Sequence, residues 1–270
     1  MSLSIDQAQY FTPSYIKQIS TAKDGAGEIA RKSSEGEATE SAPPPMPASQ
    51  LLADGDIRLL ILRGVKNDKI EAYTGILEQF HGDPANRDDP VAFLRNLSSD
   101  GIELLKQAQS IPAGKQIDVS GLDKEEALNF ILPQSEKVDL DNDGLVASAS
   151  GGKGFMFPPP NAPQSVKDAW DDATDGMSES DIFLMSGKFM TMFTLANFHV
   201  DDNGNVTRTE PGEPGWRNIF AEDVFSYRDA IDQFQAGNEF SRPNNTPEMY
   251  ERIKSLLARL ENVFAEHGIA

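Results

Sequence analysis

The strongest periodic pattern lies at the C-terminal end of the chain. In TPEMYERIKSLLARLENVFAEHG, residues Met249, Ile253, Leu256, Leu257, Leu260, Val263 and Phe264 recur at the three- and four-residue spacing of one helical face. Thr246 is placed to cap that helix, Pro247 suits its first turn and Gly268 its stop. Similar spacing predicts helices in SQLLADGDIRLLILRGV, DKIEAYTGILEQFHG, SVKDAWDDATDG and VFSYRDAIDQFQAG, and one or two more in DPVAFLRNLSSDGIELLKQAQSIP, where Asp89 and Pro90 form a cap and first turn. SGLDKEEALNFIL follows, with Ser120 three residues before Asp123 at capping-box spacing.

The segment DIFLMSGKFMTMFTLANFHV, residues 181–200, is apolar nearly all round and predicts a buried helix. Its length approaches a membrane thickness, but Lys188, Ser186, Gly187 and two threonines argue against a span. Met185, Met190 and Met192 invite comparison with the grooves of calcium sensors; core packing is the simpler expectation.

Two stretches break the pattern. Residues 21–50 lack aromatic residues and are rich in Gly, Ser, Glu and Pro, so ordering them would cost more entropy than their burial returns. Ahead of them Ile5, Tyr10, Phe11, Tyr15, Ile16 and Ile19 form a short sticky segment. The second break is SGGKGFMFPPPNAP, and Pro158–Pro160 is where the body divides most naturally. The expected fold is mainly α: a disordered arm over 1–49, a helical region over 50–157 and another over 158–270, with a small β-hairpin near 198–208. The last two regions could form one domain.

Composition narrows the function. The 270 residues are 39% hydrophobic, enough for a real core, and the absence of cysteine excludes thiolate catalysis and disulfides. A formal net charge of −19, with 24 basic residues that form no block, makes nucleic acid an unsuitable partner. Cations and basic protein surfaces fit better. The N-terminus shows no basic leader and apolar run, so a cytoplasmic location, or export without a cleavable signal, is expected.

The candidate chemistry is in KVDLDNDGLVASAS. Asp139, Asp141 and Asp143 alternate, and Gly144 and Leu145 follow. This stretch resembles the first half of an EF-hand calcium loop, in which positions 1, 3 and 5 supply carboxylates, position 6 is glycine and position 7 offers its backbone carbonyl. The resemblance implies calcium held by Asp139, Asp141, Asp143 and the Leu145 carbonyl, with Val146 turned towards a core. Where position 12 should carry a bidentate glutamate the chain has Ser150, position 9 is Ala147, and GGKGFMFPPP cannot form an exiting helix. The plain alternative is an acidic turn with Asx hydrogen bonds.

A weaker second loop, HVDDNGNVTRTE, would offer Asp201, Asn203, Asn205 and Glu210. It has His199 in the first place, and Asn203-Gly204 between FHVD and NVTR is also a hairpin signal. Gly144 and Gly204 stand 60 residues apart, too far for a regular EF-hand pair.

Other chemistry is sparse. SGGKG lacks P-loop spacing, His81, His199 and His267 are scattered, and adjacent acids such as Asp171-Asp172 or Asp88-Asp89 diverge on a helix. The sequence therefore points to a non-enzymatic calcium-binding protein that works through protein contacts, with the ion in a structural role. The alternative is an exported or adaptor-type interaction protein recruited by its N-terminal arm, without a functional metal. An enzyme assembled from distant residues stands third.

Overall fold

The structure is a computed structural model that describes residues 51–201 and 203–269. The arm expected over 1–49 lies outside the described residues.

The architecture is mainly α, with ten helices and two small antiparallel ribbons among the described residues. The N-terminal half runs through α1 (Asp54–Leu62), α2 (Asn67–Gly82), α3 (Pro84–Asp88), α4 (Pro90–Asn96), α5 (Ser99–Ala108) and α6 (Lys124–Ile131). Their apolar faces converge on one core, in which Tyr73, Leu77 and Phe80 of α2 meet Phe93 and Leu94 of α4, Leu105 of α5 and Phe130 of α6. The buried Tyr73 hydroxyl donates to the Ile131 carbonyl at 2.8 Å, so this core keeps its one deep phenol satisfied.

Helix starts follow their caps. Asp89 accepts the Ala92 N–H at 2.9 Å ahead of Pro90, as the sequence indicates. The capping box of α6 is displaced from the expected place. Its cap is Asp123, which accepts the Glu126 N–H at 2.8 Å while the Glu126 carboxylate accepts the Asp123 N–H at 3.0 Å. Ser120 instead lies in the 3-10 turn Val119–Gly121. A carboxylate at the cap with a glutamate three residues on satisfies two N–H groups at once, which Ser120 with Asp123 does not.

The C-terminal half comprises α7 (Gln164–Thr174), α8 (Glu179–Leu195), α9 (Tyr227–Ser241) and α10 (Pro247–Glu266). Its core is aromatic: the Phe157 ring stacks on Phe189 with centroids 3.7 Å apart, and Phe189 meets Phe234 edge-on at 5.0 Å. On α10 the stripe Ile253, Leu257, Leu260 and Phe264 is buried, with Thr246 accepting the Met249 N–H at 3.2 Å. Helix α8 departs from the expectation of all-round burial. Met185, Phe189, Met192 and Phe193 are buried, but Phe183 is 75% exposed and Met190 42% exposed, because only one side of α8 is covered. No helix among the described residues is long and apolar enough to cross a membrane.

The ribbons are β1 (Val146–Ala147) with β2 (Lys153–Gly154), and β3 (Phe198–Val200) with β4 (Val206–Arg208). The second is the hairpin expected near 198–208, pairing His199 with Thr207. The first, pairing Ala147 with Lys153, was not legible from periodicity in strands of two residues. The N-terminal core runs from Leu51 to Leu132, and the C-terminal core takes in Leu145, Phe157 and the residues beyond. The aspartate loop therefore lies where the chain passes from one core to the other, ahead of the prolines at which the sequence suggests a division.

Candidate metal centre

The approach to the loop is pinned by Asn129 on α6. Its side-chain oxygen accepts the Val138 N–H and its amide donates to the Val138 carbonyl, both at 2.9 Å. Lys137 turns inward and donates to Gln109 Oε1 at 2.7 Å and to the Asn129 carbonyl. Burial, reinforced by the Arg63 charge, pushes the Lys137 ammonium down to about 7.

From here the chain coils around the Asp139 carboxylate. Asp139 Oδ1 accepts the Asp143 N–H at 3.1 Å and Oδ2 accepts the Gly144 N–H at 2.8 Å. Asp143 Oδ1 in turn accepts the Leu145 N–H at 2.8 Å. The coil requires positive φ at Asn142 (54°) and Gly144 (84°). Glycine is needed at 144 for a second reason: a Cβ there would lie 2.7 Å from Phe193 Cε2 and 2.8 Å from Asn218 Oδ1.

Glu125 completes the arrangement. It sits in the first turn of α6, where the helix N-terminus favours an anion, and it is buried. Its Oε2 accepts the Leu140 N–H at 2.8 Å and its Oε1 the Ala147 N–H at 2.9 Å, so one carboxylate joins both ends of the loop. One oxygen each from Glu125, Asp139 and Asp141 lie within 4.8 Å of one another, an acidic cluster that could hold a metal ion. Asp143 stands outside that triad, its oxygens taken by the Leu145 N–H and by Lys153. Leu145 places its side chain in the C-terminal core.

Lys153 is carried over the loop by β2. Its Nζ lies 2.6 Å from Asp141 Oδ2 and 2.6 Å from Asp143 Oδ2. Burial works to lower its pKa, but the hydrogen bonds and charges of the two aspartates outweigh it and raise the ammonium above the ordinary lysine range. For Asp141 burial is likewise outweighed, by Lys153, and its carboxyl falls below the usual value. Asp139 has no such partner: burial, with Asp141 and Asp143 beside it, pushes it up to about 6 against the pull of its backbone N–H donors.

The C-terminal half holds the loop from outside. Asn161 Nδ2 donates to the Asp139 carbonyl at 2.8 Å, Asn218 Nδ2 to the Asn142 carbonyl at 3.0 Å and Trp216 Nε1 to the Asp143 carbonyl at 2.8 Å. Ser150, in the place of the missing glutamate, lies in the turn of the first ribbon and donates its N–H to Ser148 Oγ at 3.2 Å.

Asp201, Asn203 and Asn205 come together in the turn of the second ribbon. Asp201 Oδ2 accepts the Asn205 side-chain amide at 2.8 Å, and Oδ1 accepts the Asn203 and Asn205 N–H groups at 2.8 Å each. The Asn205 side chain, then these N–H donors, hold Asp201 below the usual carboxylate range. Glu210 pairs with Arg208 at 2.9 Å. The histidines stay apart: His199 meets Thr209, His267 meets Asp172 and His81 lies 3.3 Å from Glu136.

No protein-family model, curated protein or solved structure matches the chain.

Proposed function

We propose that the protein binds calcium at the Asp139–Leu145 loop and acts through protein contacts, the ion serving to fix the junction of the two helical cores. The observation that carries this is Glu125. An EF-hand-like loop without its last glutamate would be a weak calcium ligand, and Glu125 brings a carboxylate to Asp139 and Asp141 from α6. Lys153 pairs with Asp141 and Asp143 but not with Glu125 or Asp139, so negative charge is left over for a hard cation. Asp139, Asp141 and Glu125 would be the first ligands, with Asp143, the Leu145 carbonyl and water completing the shell. The reading involves no chemical step and no enzyme.

A second reading has support from Lys153. Its ammonium already neutralises part of the charge on Asp141 and Asp143, as expected of an interaction protein whose acidic loop needs no ion. Calorimetric unfolding in calcium, in magnesium and in chelator separates the two. A ligand that binds only the folded state adds about 2.7 kcal/mol at a hundredfold excess over Kd. On the first reading calcium raises the transition, Asp141→Ala removes most of the rise, Asp172→Ala leaves it, and Lys153→Ala enlarges it by removing a competitor. Identical transitions in millimolar calcium and chelator for the wild type and Lys153→Ala would leave the second reading standing.

A further inference from the structure

The loop shares a wall with a groove that the metal reading does not use. This cleft of about 550 Å³ is floored by Phe155, Phe193 and Trp216, walled by Leu145 and Met190, and bordered by Lys153. Its volume is that of a binding cleft. Phe193 and Trp216 meet edge-on at 5.6 Å, and Phe155 lies against Phe193 at 5.2 Å, so the floor is a continuous aromatic surface. The exposed side of α8 leads into it, because Phe183, Gly187, Met190 and Thr194 follow one another at spacings of four, three and four residues. A Cβ at Gly187 would meet nothing within 4 Å, so that approach is open.

We propose that the chain's own segment Ile5–Ile19, outside the described residues, docks in this groove. Three facts point to it. The segment carries Tyr10, Phe11, Tyr15 and Ile16 within seven residues, anchors that match an aromatic and methionine surface. It contains one Asp and one Lys and so is neutral, which suits a rim where Lys153, Arg208 and Glu210 mix both signs, on a chain whose net charge of −19 would repel an acidic segment. The residues joining it to Leu51, about thirty in number, span up to roughly 100 Å when extended. A folded body of this size has a radius of gyration of roughly 17 Å, so every part of its surface is within reach. Tethering makes docking intramolecular, at an effective concentration on the order of millimolar, and modest contacts then suffice to fill the groove. This inference goes beyond the calcium reading and stands without it.

Photo-crosslinking of the full chain tests it. With p-benzoylphenylalanine in place of Phe11, irradiation in dilute solution should join residue 11 to residues 153–155, 190–194 or 216 of the same chain. Met190→Asp should lower the yield of that link by about tenfold, the effect of losing one buried apolar contact and adding a desolvated charge. Thr194→Lys serves as a second groove variant should Met190→Asp alter the circular dichroism spectrum. Links elsewhere on the body, links between two chains, or none would each overturn the proposal. Running the experiment in calcium and in chelator separates it from the metal reading, since a link that forms in both supports docking whatever calorimetry shows of the ion.

Discussion

The carboxylate of Glu125 accepts the backbone N–H of Ala147 at 2.9 Å, across 22 residues of chain. Its other oxygen takes the Leu140 N–H, so the first turn of α6 closes the aspartate loop as a clasp. In chelator, Glu125→Ala should cost about 1–3 kcal/mol by stranding a buried N–H. Glu125→Gln keeps an acceptor and should cost less, yet both variants should lose most of the stabilisation by calcium. Urea unfolding with and without calcium measures both effects. Wild-type stability and wild-type calcium response in Glu125→Ala would remove Glu125 from the site.

Gly144 and Gly204 have nearly the same backbone, with φ of 84° and 83°, in very different surroundings. A methyl at 144 meets Phe193 and Asn218 below 3 Å, whereas one at 204 meets nothing within 4 Å. Both alanine variants incur the left-handed strain of about 1–3 kcal/mol. Gly144→Ala should be the more destabilised of the pair, since the Phe193 ring is buried and cannot yield. Equal losses in thermal unfolding would mean that the loop relaxes away from the C-terminal core.

The same loop shows what was legible in the sequence. Alternating aspartates and a following glycine are a local code, and the hydrogen bonds among Asp139, Asp141, Asp143 and Gly144 join near neighbours, as they would in an acidic turn or a metal loop alike. Glu125 was not legible, because its place depends on how α6 packs against the loop and no spacing rule links residues 125 and 139. Its one trace is the EE pair in the first turn of a capped helix, which reads equally well as dipole complementation. Lys153 was hidden for a similar reason: a ribbon of two-residue strands brings it back over Asp141, and strands that short have no period. The amphipathic stripe of α10 was plain in the sequence because half of its face is polar. On α8 nearly every position is apolar, so hydrophobicity alone could not tell which of Met185 and Met190 would be covered.

The raised pKa of Asp139 makes its own contribution to stability depend on pH. Burial and the neighbouring aspartates raise its folded pKa to about 6, above the value of about 3.9 for an unfolded aspartate. Between these values the folded state binds more protons, so its contribution to stability is fully present below about pH 3.9 and is lost as the pH rises through 6. In chelator, wild type minus Asp139→Asn should therefore fall in stability from pH 4 to 7. Calcium needs the ionised carboxylate and should bind about tenfold more weakly per pH unit below 6. Titration calorimetry at pH 5 and 7 measures this, and equal affinities would show that Asp139 does not lose a proton to the ion.

A sensor and a structural site differ in what the ion moves. A sensor must open an apolar groove, which requires the ion to pull on a helix that leaves the loop. Here the loop leads into β1 and β2, and the residue in the last ligand place, Ser150, lies in their turn. Helix α8 holds Phe193 against Gly144, with Trp216 anchored to the Asp143 carbonyl beside it. Calcium should therefore stiffen a contact already made: it should raise stability without increasing the fluorescence of an apolar dye, and residues 182–198 should keep their hydrogen-exchange protection with and without the ion. Phe193→Ala should cost roughly 3–5 kcal/mol, the range for a buried phenylalanine, and should weaken calcium binding as well, because the wall behind Gly144 is gone. A calcium-dependent rise in dye fluorescence together with loss of protection on α8 would instead make the loop a trigger.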